Sequence, residues 1–243
     1  MTIIESSFLS AVPSIKSGMS TREGGVSPPP LGMNLSFSVG DERDNVRKNR
    51  EIFFRELGIR ETQVAMPKQV HGTSVRRADA PGSYPDTDAL ITNARNVYLS
   101  VTVADCVPVF VVDRKKLTIA AIHAGWRGTQ GHITGIAVKK MIEEYACSQK
   151  DMIAYVGPCA SVCCYNVGDD VAVRFDEHFV VQQGNGRFVD LKMANEYQLI
   201  EAGISPANIE VSPYCTISDA HLFHSHRRDG EKSGRMMAVI GVV

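Results

Sequence analysis

Two histidines and a cysteine stand at points where the chain is set to turn. His71 lies in KQVHGTSV with Gly72 behind it, Cys106 lies in TVADCVP, and His123 lies in AAIHAGW at the end of an apolar run. They are separated by 35 and 17 residues, and no C-x-x-C knuckle occurs anywhere in the chain. Structural zinc sites favour such knuckles, whereas a catalytic zinc takes three protein ligands and keeps a fourth position for water or substrate. Two imidazoles and one thiolate suit Zn2+, and an ion held this way would lower the pKa of a bound water and supply a nucleophile near neutral pH. The same residues also allow a plainer reading, in which the histidines are hydrogen-bonded structure and Cys106 is a small buried hydrophobe. Asp105, next to Cys106, is placed either to act itself or to orient one of the histidines.

Arginines form a second constellation. Arg22 in STREGG, Arg127 in GWRGT, and Arg227 and Arg228 in HSHRRDG all stand beside turn-forming residues. A guanidinium in such a place can meet phosphate or carboxylate in a bidentate way, although an exposed surface arginine accounts for any one of them equally well. Two other groupings are weaker. Cys159, Cys163 and Cys164 crowd into GPCASVCCYNVG without good metal spacing and read as packing beneath the site. His224 and His226, in HSH, could point the same way on a strand, as copper ligands do. Seven histidines in all are too few for a mononuclear and a trinuclear copper centre together, but one copper could replace zinc.

The elements that must position these residues read as follows. Asp41 to Leu57 is predicted helical, with Asp41 as cap, Val46, Ile52, Phe53 and Leu57 on one face, and Gly58 as the stop. Val97–Val103, Val107–Val112 and Leu117–His123 are predicted strands, the last two joined by a polar hairpin loop. Thr129 to Tyr145 is the clearest helix, with Ile133, Ile136, Ala137, Lys140, Met141 and Tyr145 at near-helical spacing. Met152–Val156, Ile209–Val211 and Met236–Val243 are further strands, and Val167–His178 and Leu191–Ala202 are further helices. GGVSPPPLG, with three consecutive prolines, is an ordered loop. Clustered strands with helices outside them give an α/β chain of one domain over residues 1–243, with layered mixed β-sheets flanked by helices.

Composition narrows the function classes. The chain has 243 residues, 44% hydrophobic and 22% charged, with 26 basic and 27 acidic side chains. That near balance offers no broad field for nucleic acid. The start MTIIESSFLS lacks a signal-peptide pattern, and the apolar runs are too short to span a membrane. A cytoplasmic setting with six reduced cysteines is the expectation. Nothing in the sequence fixes an oligomeric state.

The motifs STREGGVS, NLSFSVGD, VRKNR, KQVHGTSV, DALIT, ADCVPV, IAAIHAGWRGT, GPCASVCCYNVG and RRDGEKSGRM occur in an order that resembles the YfiH/laccase-domain family, also called multicopper polyphenol oxidase-like proteins. The resemblance runs from about Ser20 to the end, and ADC followed by HAGWRG is its most specific part. It implies that His71, Cys106 and His123 bind zinc. It also implies purine nucleoside phosphorylase activity on adenosine, inosine and methylthioadenosine, with adenosine deamination. Under that reading the partners are nucleoside and phosphate, with no nucleic acid and no membrane. Arg22, Arg47, Arg127 and Arg228 are the candidates to hold phosphate, and Asp105 or Asp88 to move protons. Three rivals remain: a copper polyphenol oxidase, a cysteine hydrolase or amidase acting on cell-wall precursors through Cys106 and His123, and a zinc-stabilised binding module without turnover. HSHRRDG departs from the family pattern in carrying histidine where many relatives have tyrosine, and PPPLGMNLS shortens the usual loop.

Overall fold

Val109 and Val111 belong to one apolar cluster, while Phe110 and Val112, between and after them, belong to another. Side chains of a strand alternate between its faces, so a run that is apolar on both must lie between two layers. The computed structural model describes residues 1–243 and has that arrangement. In chain order the elements begin with β1 (Ile3–Ile4), α1 (Ser7–Ser10), β2 (Ile15–Ser20), α2 (Arg43–Glu56), β3 (Val64–Pro67), β4 (Val75–Arg77), β5 (Gly82–Tyr84) and β6 (Ala89–Thr92). The centre holds β7 (Tyr98–Val103), β8 (Val107–Asp113), β9 (Thr118–Ala124), α3 (Trp126–Gln130), α4 (Ile133–Tyr145) and β10 (Met152–Val156). The last part holds β11 (Asn166–Val167), α5 (Asp169–Ala172), β12 (Val180–Gln183), β13 (Gly186–Val189), α6 (Leu191–Glu201), β14 (Ile209–Val211), α7 (His226–Asp229) and β15 (Met236–Val242).

Two six-stranded mixed sheets face each other, ordered β1-β2-β15-β7-β3-β5 and β14-β10-β8-β9-β6-β4, with a small third sheet β11-β13-β12. Leu99, Val101, Ala238 and Ile240 from the first sheet meet Leu90, Phe110, Ile119 and Ile153 from the second. Beyond the first sheet, Phe53 and Phe54 of α2 cover Tyr98, Met237 and Val239. Beyond the second, Ile133, Ala137, Val138 and Met141 of α4 and Leu199 of α6 cover Ala120, Ile122 and Val109. The layers therefore run helix, sheet, sheet, helix, which is the layered mixed-sheet α/β class the sequence predicts. The β8–β9 hairpin forms as expected, closed by Asp113, whose carboxylate accepts from the N–H groups of Lys115 and Lys116.

Several elements differ from the sequence reading. Asp41 does not cap α2. Its carboxylate accepts from Ser27 and Asn34 instead, and Glu42 stands at the N-cap without a side-chain bond. The helix expected over Thr129–Tyr145 is two helices, broken at Gly131 and His132, where His132 takes a left-handed φ of 60°. Ile136 is exposed on α4, and the buried face uses Thr134 and Val138 instead. Val167–His178 holds only a single α-helical turn, Asp169–Ala172, and the start of a 3-10 turn, Glu177–Phe179, and the β12–β13 hairpin after it has no counterpart in the sequence reading.

The break in the long helix serves the site. Asn195 of α6 donates to the Thr129 hydroxyl at 3.0 Å and accepts from the Thr134 hydroxyl at 2.6 Å, while Gln198 donates to the Thr129 carbonyl at 2.7 Å. This buried polar set fixes α3, which carries Trp126 and Arg127, to α4 and α6. Truncating Asn195 leaves several of these groups unpaired. Asn195→Ala is expected to cost about 2 kcal/mol, a Tm loss of roughly 5 °C, measurable by thermal denaturation.

Candidate active site

The chain passes from the first sheet to the second between β3 and β4, and again between β7 and β8. His71 lies on the first passage and Cys106 on the second, while His123 closes in from β9. Two residues on these passages hold left-handed backbone conformations, His71 at φ 59° and Asp105 at φ 87°. Such conformations are costly for residues with a Cβ and concentrate at functional positions. Gly125 completes the approach, because a Cβ there would stand 3.1 Å from the Cys106 sulfur and 3.2 Å from the His71 ring. One donor atom each from His71, Cys106 and His123 falls within 4.8 Å of the other two. The histidine rings meet edge-to-face at 4.8 Å between centroids.

Asp88 organises the group. It is fully buried, and its Oδ1 accepts from the His71 N–H and lies 2.9 Å from His123 Nδ1. Its Oδ2 accepts from the N–H groups of Gly72 and Val70. Burial would push this carboxyl up, but the His123 ring and the backbone donors outweigh it and hold it below its usual range. An ionised Asp88 fixes Nδ1 of His123 as the donor and leaves Nε2 toward the Cys106 sulfur. Burial likewise opposes charge on Cys106 and His123, yet each stabilises the other. The facing imidazoles bring the thiol below its ordinary value, and the sulfur together with Asp88 raises His123.

The three donors border a cavity of about 980 Å3. Its lining includes Phe37, Trp126 and Tyr165 as aromatic walls, and Lys68, Arg127, Arg227 and Arg235 as cations. Arg127 lies over the Trp126 ring at 4.2 Å and Arg227 over Tyr165 at 4.8 Å. None of Arg127, Arg227 and Arg235 has a carboxylate within ion-pair distance.

A family model described as multi-copper polyphenol oxidoreductase laccase matches residues 16–243. The chain belongs to this family. Purine nucleoside phosphorylase YlmD of Bacillus subtilis (strain 168) is 34% identical over 243 aligned residues, covering 93% of this chain and 87% of that one. Adenosine deaminase RL5, from an unknown prokaryotic organism, is 33% identical over 222 residues and covers 84% of each chain. The crystal structure of the Bacillus licheniformis hypothetical protein YfiH matches with a TM-score of 0.91 at 31% identity, covering 95% of this chain and 94% of that one.

Within this family fold, several sequence candidates fall elsewhere. Arg22 donates to the carbonyls of Ala220 and Pro30 and does not line the cavity. Arg47 is exposed on α2, paired with Asp44 at 2.7 Å. Arg228 is spent on the carbonyls of Thr216, Ile217 and Phe223 and on Asp229. None of these three lines the cavity, so the fold does not bring them to the three donors as the sequence reading expects. Asp105 lines the cavity, but its carboxylate accepts from the Thr216 hydroxyl and the Arg227 N–H, so it positions the start of α7 and orients no histidine.

His224 and His226 share no strand. His224 is sealed with neither ring nitrogen bonded, while His226 begins α7 beside the cavity. Sequence reasoning passes over Arg235 and Lys68, and it names Asp88 without its hub role. The motif KQVHG carries a usable hint of that role, since a turn of consecutive free N–H groups needs an acceptor. No helix of the structure is long and apolar enough to cross a membrane.

Proposed function

We propose that this chain is a zinc-dependent purine nucleoside phosphorylase, acting on adenosine, inosine or methylthioadenosine with phosphate, and that it also deaminates adenosine. The names of its relatives support the reaction class. The observation that carries the reading is the convergence of His71, Cys106 and His123 on the wall of a cavity that also holds three arginines free of carboxylates. The donor set fits zinc in type and number, and Asp88 supplies the carboxylate–histidine support that such sites use.

When bound there, zinc would supply Lewis acidity and a lowered water pKa at the purine. The protein's own part is binding and charge. In phosphorolysis a phosphate oxygen bonds to ribose C1′ while the bond from C1′ to the base breaks, and the base leaves with the electron pair and gains a proton. Arg127, Arg227 and Arg235 are the groups to neutralise the phosphate, and Phe37, Trp126 and Tyr165 the faces against which a purine stacks. Protein stripped of metal is expected to lose ribose 1-phosphate production from inosine and phosphate, and added Zn2+ is expected to restore it. Undiminished production by the stripped protein removes the metal from the mechanism.

One observation favours a second reading. Cys106, His123 and Asp88 stand in the order nucleophile, base and orienting acid, with the thiol shifted down and the imidazole up. In a cysteine hydrolase, an electrophile would label Cys106 selectively and chelators would leave turnover intact.

A further inference from the structure

The sequence reading assigns Cys159, Cys163 and Cys164 to packing, and the fold divides them. Cys159 is fully buried in the core and matches that expectation. Cys163 is exposed and Cys164 half-buried, so neither is simple filling. A cysteine far along the chain joins them, because the backbone β-bridge between Cys159 and Cys215 brings the buried Cys215 alongside. The sulfurs of Cys163, Cys164 and Cys215 all lie within 4.8 Å of one another, and the first two are 3.4 Å apart.

We propose that Cys163, Cys164 and Cys215 form a second metal site, a three-sulfur seat for a thiophilic monovalent ion, Cu(I). An ion with bonds of about 2.3 Å to sulfur spaces three coplanar sulfurs about 4 Å apart; here one pair stands at 3.4 Å and no pair is farther apart than 4.8 Å, so small side-chain movements reach that spacing. Soft thiolates select soft ions, and Cu(I) accepts three of them without a fourth ligand. No histidine or carboxylate joins this cluster, in contrast to the mixed set in the cavity. Cys215 is already arranged for a negative sulfur: the Ser161 N–H donates to it at 3.4 Å, and the backbone N–H groups of Ser218 and Ile217 face it. Exposed Cys163 provides the way in. Binding expels thiol protons to solvent and requires no oxidant.

The seat adjoins the cavity through the chain itself. Cys164 precedes Tyr165, which lines the cavity, and Cys215 precedes Thr216, which donates to Asp105. A loaded ion would stiffen both neighbours. The inference does not depend on the reaction proposed for the cavity.

The test is an anaerobic titration of the metal-free full chain with Cu(I) held by bicinchoninate. The reference protein carries His71→Ala and Cys106→Ala, so that the cavity cluster is dismantled. It is expected to take one equivalent, with sulfur as the only neighbour at the copper X-ray absorption edge. Adding Cys163→Ser is expected to abolish that equivalent. The wild-type chain bearing only Cys163→Ser, an exposed change that should leave Tm unmoved, is expected to take one equivalent fewer than wild type. Equal uptake by the wild type and Cys163→Ser, or a nitrogen-containing shell in the reference protein, overturns the proposal.

Discussion

Cys106→Ala is expected to lower phosphorolysis of inosine by about a thousandfold, matching the several kcal/mol that a Lewis acid contributes. The same protein is expected to lose most of its zinc when dialysed against a weak chelator. The two losses belong together, because Cys106 supplies the only sulfur among the three cavity donors. Cys106→Ser separates the two readings of the site. If Cys106 is a ligand, the serine protein loses zinc and activity in step. If it is a nucleophile, activity falls while zinc content holds. Paired measurements of ribose 1-phosphate and bound zinc decide the matter, and a serine protein with full zinc and no turnover sinks the metal reading.

The second large effect is expected at Asp88. Its two oxygens serve three part-buried backbone N–H groups and the buried His123 ring. Asp88→Ala strands these donors and is expected to destabilise the fold by about 3 kcal/mol or more. Asp88→Asn keeps the shape but turns an amide N–H2 toward one pair of donors. It is expected to cost about a hundredfold in zinc affinity or rate, as loss of an orienting carboxylate does elsewhere. The pH dependence has a definite sign. Because the folded state holds this carboxyl below its unfolded value near 4, its contribution is present above that value and lost as pH falls through the folded one. Denaturation of wild type and Asp88→Asn should therefore differ most at neutral pH and converge in acid.

Much of this is legible without coordinates. The strands around Cys106 and His123 are short β-branched runs apolar on both faces, and such runs have few alternatives to the middle of a layered α/β fold. The two histidines stand out because turn glycines follow them, and Cys106 because it sits between two apolar strands, but the sequence leaves a plain structural reading open and only the fold brings the three donor atoms together. The arginines are legible only in part, since Arg127 and Arg227 reach the cavity and Arg22 and Arg228 do not. A guanidinium reaches several ångströms from its own backbone, so proximity to glycine in sequence says nothing about where it ends; Arg22 and Arg228 end on carbonyls. The break at Gly131 is hidden because the apolar spacing continues across it, and only the partners in α6 require two helices. The β12–β13 hairpin is obscured although GNGR carries a turn signal, since the helical reading of the preceding residues takes precedence. Cys215 cannot be joined to Cys163 by spacing, because two helices and four strands of intervening chain separate them in sequence.

His71 and Cys106 ride on two of the passages between the sheets, and this has a mechanical consequence. The gap between their donor atoms is a gauge of how one layer sits on the other. An ion gripped there would act as a rivet through the sandwich, and any slippage of the layers would pull the grip open. Heat or denaturant would then release the ion before the chain unravels, so the molecule could not loosen its architecture and keep its reagent.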